Sequence, residues 1–244
     1  MTIDVYTKDH SQHGLARMGG LLYLLLIPTA APGILHGQLL IHDNAAQTLT
    51  AISDNRLAFE VTTLLGVIGF VIFLALAMVL HRLFRSYCAP AADIMLGFVA
   101  VSVPLSLAAM AFRLDVLNLI DASNGLSTFS GQTLQAEVAL AMARSANMMQ
   151  VAVIFWGLWL LPLSQLARRS GFVPPILPIL LTIGGLFYVA TFIGYVFDSA
   201  FQQSMAGMVL GSLGGLSAMI GEIGLAIWLL VKGTSWSYSD SALN

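Results

Sequence analysis

Charge is what this 244-residue chain has least of. Asp, Glu, Lys and Arg together make up 9% of it, where soluble domains carry about 25%. With 58% hydrophobic residues and a mean hydropathy of +0.86, this excludes an ordinary soluble domain. No polar stretch is long enough to form a separate one. A formal net charge of -2 leaves no basic surface for nucleic acid. Cysteine occurs once, at Cys88, which excludes an internal disulfide and any Cys-based zinc or iron–sulfur site. Neither a G-x-S-x-G elbow nor an H-E-x-x-H pair is present. Within the apolar runs the only Lys is Lys232, at an end, a poor place for a retinal Schiff base.

What the chain has is apolar runs, each near the roughly 20 residues that cross a bilayer. The pattern predicts an all-α integral membrane bundle of six transmembrane helices. Residues 1–16 form a polar N-terminal tail, 17–233 the membrane domain and 234–244 a C-terminal tail. The spans run from about Arg17 to Ile41, Arg56 to Leu83, Pro90 to Ile120, Leu134 to Leu166, Pro174 to Val196 and Gly207 to Lys232. The first run stays apolar through Leu40, which favours a span over a signal peptide, and Pro28, Pro32 and Gly33 predict a bend within it. His42 to Asn55 reads as a polar loop. Six spans place Lys8, Arg17, Arg82, Arg85, Arg168, Arg169 and Lys232 on one side, and the opposite loops hold only Arg56. The positive-inside rule then puts both termini in the cytoplasm.

Once the interfacial charges are set aside, Arg56, Arg113, Arg144, Glu60, Glu137 and Glu222 remain inside the spans. Their signs balance, as buried charges require. Arg56 and Glu60 are one helical turn apart, and Glu137 and Arg144 share a face at twice that spacing. Arg113 precedes Asp115 and Asn118, and it is expected to pair with Glu60, Asp115 or Glu137. Together with His36, these groups outline a polar pocket opening to the outer face. The competing reading is a packed ion-pair network with long side chains reaching the interface. No metal or cofactor is expected, since His36 and His81 lie at opposite ends of the membrane and cannot ligate one haem.

The last span carries two further signals. Gly207, Gly211 and Gly215 recur every fourth residue and predict a helix-packing face. Glu222 lies roughly 15 Å along the helix from Lys232, near mid-membrane. A carboxyl group there must be paired, protonated or facing water. No cation is placed beside it, so the expected form is the neutral acid, bonded to Thr29 or Tyr188.

Four segments carry a family resemblance: GLLYLLLIPTAAPGILH, FRLDVLNLI, RRSGFVPPILPILLTIGGLFY and MIGEIGLAIWLLVKG. Over about residues 15–233 the chain resembles the bacterial membrane proteins grouped as domain of unknown function 4386. The RSGF and IGE…WLLVKG segments are the more specific parts. The resemblance implies a multi-pass protein of the bacterial cytoplasmic (inner) membrane, and it picks out Arg56, Arg113, Asn118, Gly171 and Glu222.

Three functions remain in play. The leading one is binding or transport of a small molecule or lipid headgroup through the outer pocket formed by Arg56, Glu60, Arg113, Asn118, Glu137, Arg144 and His36. The second is a subunit of a larger membrane assembly, with partner membrane subunits or a homo-oligomer as its contacts. The third is an intramembrane enzyme, for which no convincing nucleophile–base set is visible. The expected surroundings are a lipid bilayer, with no nucleic acid.

Overall fold

The computed structural model describes residues 12–29, 44–125, 131–198 and 200–234, and among them the chain is helical, with no strand. Helix α1 occupies residues 12–29. It is followed by α2 (Ala45–Asp54), α3 (Arg56–Phe84), α4 (Ala89–Gly125), α5 (Gly131–Ser170), α6 (Ile176–Phe197) and α7 (Met205–Val231), with a 3-10 turn at Phe201–Gln203. Five helices, α3 to α7, are long and apolar enough to cross a membrane. Only 28 to 39% of each apolar window is buried within the protein, so apolar side chains also point outward. Leu64, Ile68 and Val71 on α3 and Ile179, Ile183 and Leu186 on α6 are exposed. Such surface is a liability in water and the natural surface in lipid. The chain is a multi-pass membrane protein.

The first predicted span is described only in part. Pro28 and Thr29 are still helical, whereas residues 30–43, with Pro32, Gly33 and His36, lie outside the described residues. The expected loop from His42 to Asn55 is replaced over most of its length by α2. Asn44 caps this helix, its side-chain oxygen accepting from the backbone N–H groups of Ala46 at 2.8 Å and Gln47 at 3.4 Å. Thr48 and Ile52, one turn apart, are buried along one side. A cap and one apolar stripe make a helix of a segment whose composition is that of a loop.

Two long helices end on glycine or lead into one. Gly171, directly after α5, has φ +71°, and Gly233, near the end of α7, has φ +60°. Both are left-handed positions that favour glycine. Basic residues fill the last turns of α3 (His81, Arg82) and α5 (Arg168, Arg169), where the helix dipole favours positive charge.

The chain divides into two compact units. The first comprises Met1–Leu25, Ile72–Ser102 and Val153–Asn244, and within it α6 packs against α7. A methyl group added at Gly184 would lie 2.8 Å from Ala218 Cα, and one at Gly221 would lie 3.1 Å from the Leu181 backbone. Gly214 faces Phe187, and Gly224 faces Leu177. Residues rising along α6 therefore meet residues falling along α7, an antiparallel register.

Within the chain, α6 meets a different row of α7 from the predicted Gly207, Gly211 and Gly215 face. A side chain at Gly211 or Gly215 would meet nothing within 4 Å. The buried positions of α7 are Gly207, Gly214, Ala218, Gly221, Leu225, Ala226 and Leu229, and the row Gly214, Ala218, Gly221 and Leu225 advances in steps of four and three, the spacing of a helix contact face. Gly207 is a close approach, but to the carbonyl of Phe201 in the preceding turn rather than to another helix.

Elsewhere in this unit, Gly157 and Gly185 bring α5 and α6 together at backbone distance. The Thr182 hydroxyl donates to Ser164 Oγ at 2.8 Å. Trp228 Nε1 donates to the Phe172 carbonyl at 2.8 Å, and the Phe172 ring stacks on Phe84 at 5.9 Å between centroids.

The second unit comprises Leu26–Val71 and Val103–Ala152. Ile52, Phe59, Val116, Ile120, Val138, Ala141 and Met142 form its buried cluster, so α2 contributes to the same core as α3, α4 and α5. In the same unit the buried Ser145 hydroxyl donates to the Ala109 carbonyl at 2.8 Å and ties α5 to α4.

Candidate functional site

The polar groups singled out from the sequence fall into separate clusters, most of them in the second unit. At the start of α3, Arg56 Nε donates to Glu60 Oε1 at 2.7 Å, the expected one-turn pair. The other edge of the guanidinium engages Asp121 in two parallel contacts: Nη1 with Oδ1, and Nη2 with Oδ2 at 2.8 Å. This fork-to-fork geometry is the strong form of an Arg–carboxylate pair. Asp121 was expected in the loop after span 3. Because α4 continues to Gly125, Asp121 lies on a helix and can pair with Arg56.

Arg113 departs furthest from expectation. Among the described residues no carboxylate pairs with it. Nε donates to Thr63 Oγ1 at 2.9 Å and Nη2 to Thr62 Oγ1 at 2.9 Å. The guanidinium carbon stands 4.3 Å from the centroid of the Phe59 ring, within cation–π range. Both threonine hydroxyls donate in turn to the Phe59 carbonyl, at 3.0 and 2.7 Å. Their lone pairs are thereby presented to the guanidinium. In place of the expected carboxylate, two hydroxyls and a ring face orient the group without neutralising it.

Asn118, Glu137 and Arg144 are brought together, with Asp115, around one open cavity of about 390 Å³. Leu119, Ala122 and Ala141 complete its wall. The spacing of Glu137 and Arg144 on α5 puts both on the cavity side, as their shared face predicts. Arg113, Arg56 and Glu60 do not line it. The cavity offers two carboxylates, one guanidinium and one amide, so it can meet both a positive and a negative group on a ligand.

Glu222 belongs to the first unit. The Tyr23 hydroxyl donates to its Oε1 at 3.5 Å, longer than a usual O–H···O bond. Thr29 was the expected partner, but its hydroxyl donates to the Leu26 carbonyl at 2.7 Å, closing a local turn. Tyr188, the other expected partner, lies close enough to interact electrostatically with Glu222. Tyr23 also packs on Trp159, with ring centroids 6.1 Å apart.

One polar cluster was missed from the sequence. His81 Nε2 lies 2.7 Å from Asp93 Oδ1, and Arg85 Nε lies 3.4 Å from the same oxygen. Asp93, four residues after the start of α4, was the available signal, since the end of α3 is basic and a short turn brings α4 back beside it. Among the described residues no group of three His, Cys, Asp or Glu side chains gathers as a metal site.

Gly171 and Glu222, two positions picked out by the resemblance, stand in segments that the structure joins. Phe172 follows Gly171 and accepts the Trp228 hydrogen bond, and Trp228 lies beyond Glu222 on α7. No curated protein and no solved structure matches the chain. A family model does, over residues 18–233, and its description is a domain of unknown function, DUF4386. With nearly its whole length matched, helices, glycine turn and intramembrane acid included, the chain belongs to the DUF4386 family.

Proposed function

We propose that this protein binds or passes a small molecule or a lipid headgroup at the cavity lined by Asp115, Asn118, Glu137 and Arg144. In this reading it sits in the bacterial cytoplasmic membrane with six spans and both termini inside. The observation that carries it is the convergence of four polar side chains on one cavity of about 390 Å³, within the usual range of ligand pockets. A lining of both signs suits a zwitterion, with the guanidinium taking the anionic end and the carboxylates the ammonium. Leu119, Ala122 and Ala141 offer apolar contact to the ligand's body.

Native mass spectrometry of protein extracted from its own membranes tests this reading. The wild type is expected to retain a bound small molecule or lipid that Arg144→Ala and Glu137→Gln lose. Identical adduct spectra for all three proteins would count against it.

A second reading, a subunit or homo-oligomer, is favoured by one feature of α7. Gly211 is exposed and Gly215 partly so, and neither has a neighbour within 4 Å. Small residues four apart allow close approach by another transmembrane helix. Cysteine introduced at Gly211 is expected to crosslink between chains under oxidation if that helix belongs to a second copy. An uncrosslinked monomer in native membranes would remove the homo-oligomer.

A further inference from the structure

Arg113 lies within an apolar helix, in the candidate span Ala89–Ala122. Its neighbours have two properties that rarely coincide. They fix the guanidinium, and they leave its charge unanswered. Thr62 and Thr63 are consecutive on α3, and their hydroxyls accept from Nη2 and Nε at 2.9 Å each. Thr62 and Thr63 are buried, and each is held by donating to the Phe59 carbonyl. Rotation of either hydroxyl would break that bond, so the acceptor lone pairs stay aimed at Arg113. The Phe59 ring is fully buried in the core cluster and presents its face to the guanidinium carbon at 4.3 Å. One residue, Phe59, thus anchors the site through both its backbone and its ring.

Charge accounting gives the second property. Hydroxyls and a ring face supply partial charges only. The acids nearest in sequence are engaged elsewhere or lie at another site: Glu60 pairs with Arg56, and Asp115 lines the cavity that Arg113 does not line. A guanidinium has five N–H donors in a planar fork. The two bonds described use Nε and one hydrogen of Nη2, and among the described residues nothing engages Nη1. A cation in a transmembrane helix is costly unless something negative or wet meets it. An oxyanion meets it best, because two oxygens of a carboxylate or a phosphate match the spacing of the fork.

We propose that Arg113, oriented by Thr62, Thr63 and Phe59, is an oxyanion receptor within the membrane domain, taking the phosphate or carboxylate of an acidic lipid or of a small soluble anion. The site goes beyond the cavity reading and uses different side chains, so either can fail alone. The threonines and the phenylalanine are positioning residues, and Arg113 is the group that touches the anion.

The test uses the full chain in neutral detergent, titrated separately with phosphatidylglycerol, with a diacylglycerol of the same chains, and with inorganic phosphate. Thermal unfolding and native mass spectrometry are the readouts. At least one oxyanion probe is expected to raise the wild-type unfolding midpoint and appear as a bound adduct, while diacylglycerol does neither. Arg113→Gln should weaken that binding roughly 10- to 100-fold, the loss expected for charge-assisted hydrogen bonds. Arg113→Lys keeps the charge without the fork and should fall between. Arg144→Ala, in the cavity, should leave the response unchanged. If Arg144→Ala abolishes the response and Arg113→Gln does not, the anion sits in the cavity of the other reading and the proposal is overturned.

If Arg113→Gln does not fold, Thr62→Val with Thr63→Val serves in its place and should weaken binding while the charge is retained. A response to phosphatidylglycerol alone assigns the lipid as the source, and a response to phosphate assigns a soluble anion. The proposal is overturned if no probe affects the wild type, if diacylglycerol acts as strongly as phosphatidylglycerol, or if the Arg113 and threonine variants respond as the wild type does.

Discussion

At the scale of single residues, the chain uses its few polar groups in unlike ways. Arg56 is met by two carboxylates, Arg113 by two hydroxyls and a ring, and Glu222 by one tyrosine. Gly171 is set by backbone geometry alone, since nothing lies within 4 Å of the space a side chain would fill. Its φ of +71° predicts that Gly171→Ala destabilises the protein by about 1–2 kcal/mol, the strain of a left-handed residue, whereas Gly171→Asn is tolerated better. Equilibrium unfolding in mixed micelles checks this, and an alanine variant as stable as the parent would contradict it. Trp228→Phe should cost about 0.5–1.5 kcal/mol, the usual net value of one hydrogen bond, by removing the donor to the Phe172 carbonyl. The Arg56–Glu60 pair was legible because both partners lie on one helix face. Arg113's partners were not, because Thr62 and Thr63 look like ordinary β-branched span residues until a neighbouring helix delivers a cation to them.

At the scale of elements, the long helices were legible and their contact faces were not. Apolar length is local information, so α3 to α7 could be read within a few residues. The face a helix buries depends on a neighbour elsewhere in the chain. On α7 the glycines permit two rows, one through Gly211 and Gly215 and one through Gly214 and Gly221, and only the position of α6 decides between them. Substitution separates the rows. Gly184→Leu drives a side chain into the Ala218 backbone and should cost at least the 1–3 kcal/mol typical of overpacking. Gly211→Ala and Gly215→Ala meet no neighbour in a single chain and should be neutral or stabilising by up to about 1 kcal/mol through helix propensity. The reverse order of stabilities would mean that the register of α6 on α7 is wrong. The short α2 went unread for another reason. Its polar composition hid a capped helix whose Ile52 enters the core of the second unit.

For the whole molecule, few charges and long apolar runs made membrane residence legible before any contact was known. The proposed six-span topology rests on the distribution of Lys and Arg, which predicts that reporter fusions at Asn44, Gly125 and Asp198 read outside and a fusion at Asn244 reads inside. An outside signal at Asn244 would break the six-span arrangement. The function was less legible, because an uneven sprinkle of polar groups can be divided into sites in many ways until the helices fix which ones meet.

The contact of α6 with α7 also has a mechanical consequence. Where each glycine lies directly against the facing helix, Gly184 on Ala218, Gly221 on Leu181 and Gly214 on Phe187, no slack is left between the two, and a small slide brings atoms into collision. Such a joint is stiff in shear. The α6–α7 hairpin should therefore tilt or translate as a single rigid strut, its amides exchanging with solvent together, and any working motion within the first unit must bend or slide somewhere other than between these two helices.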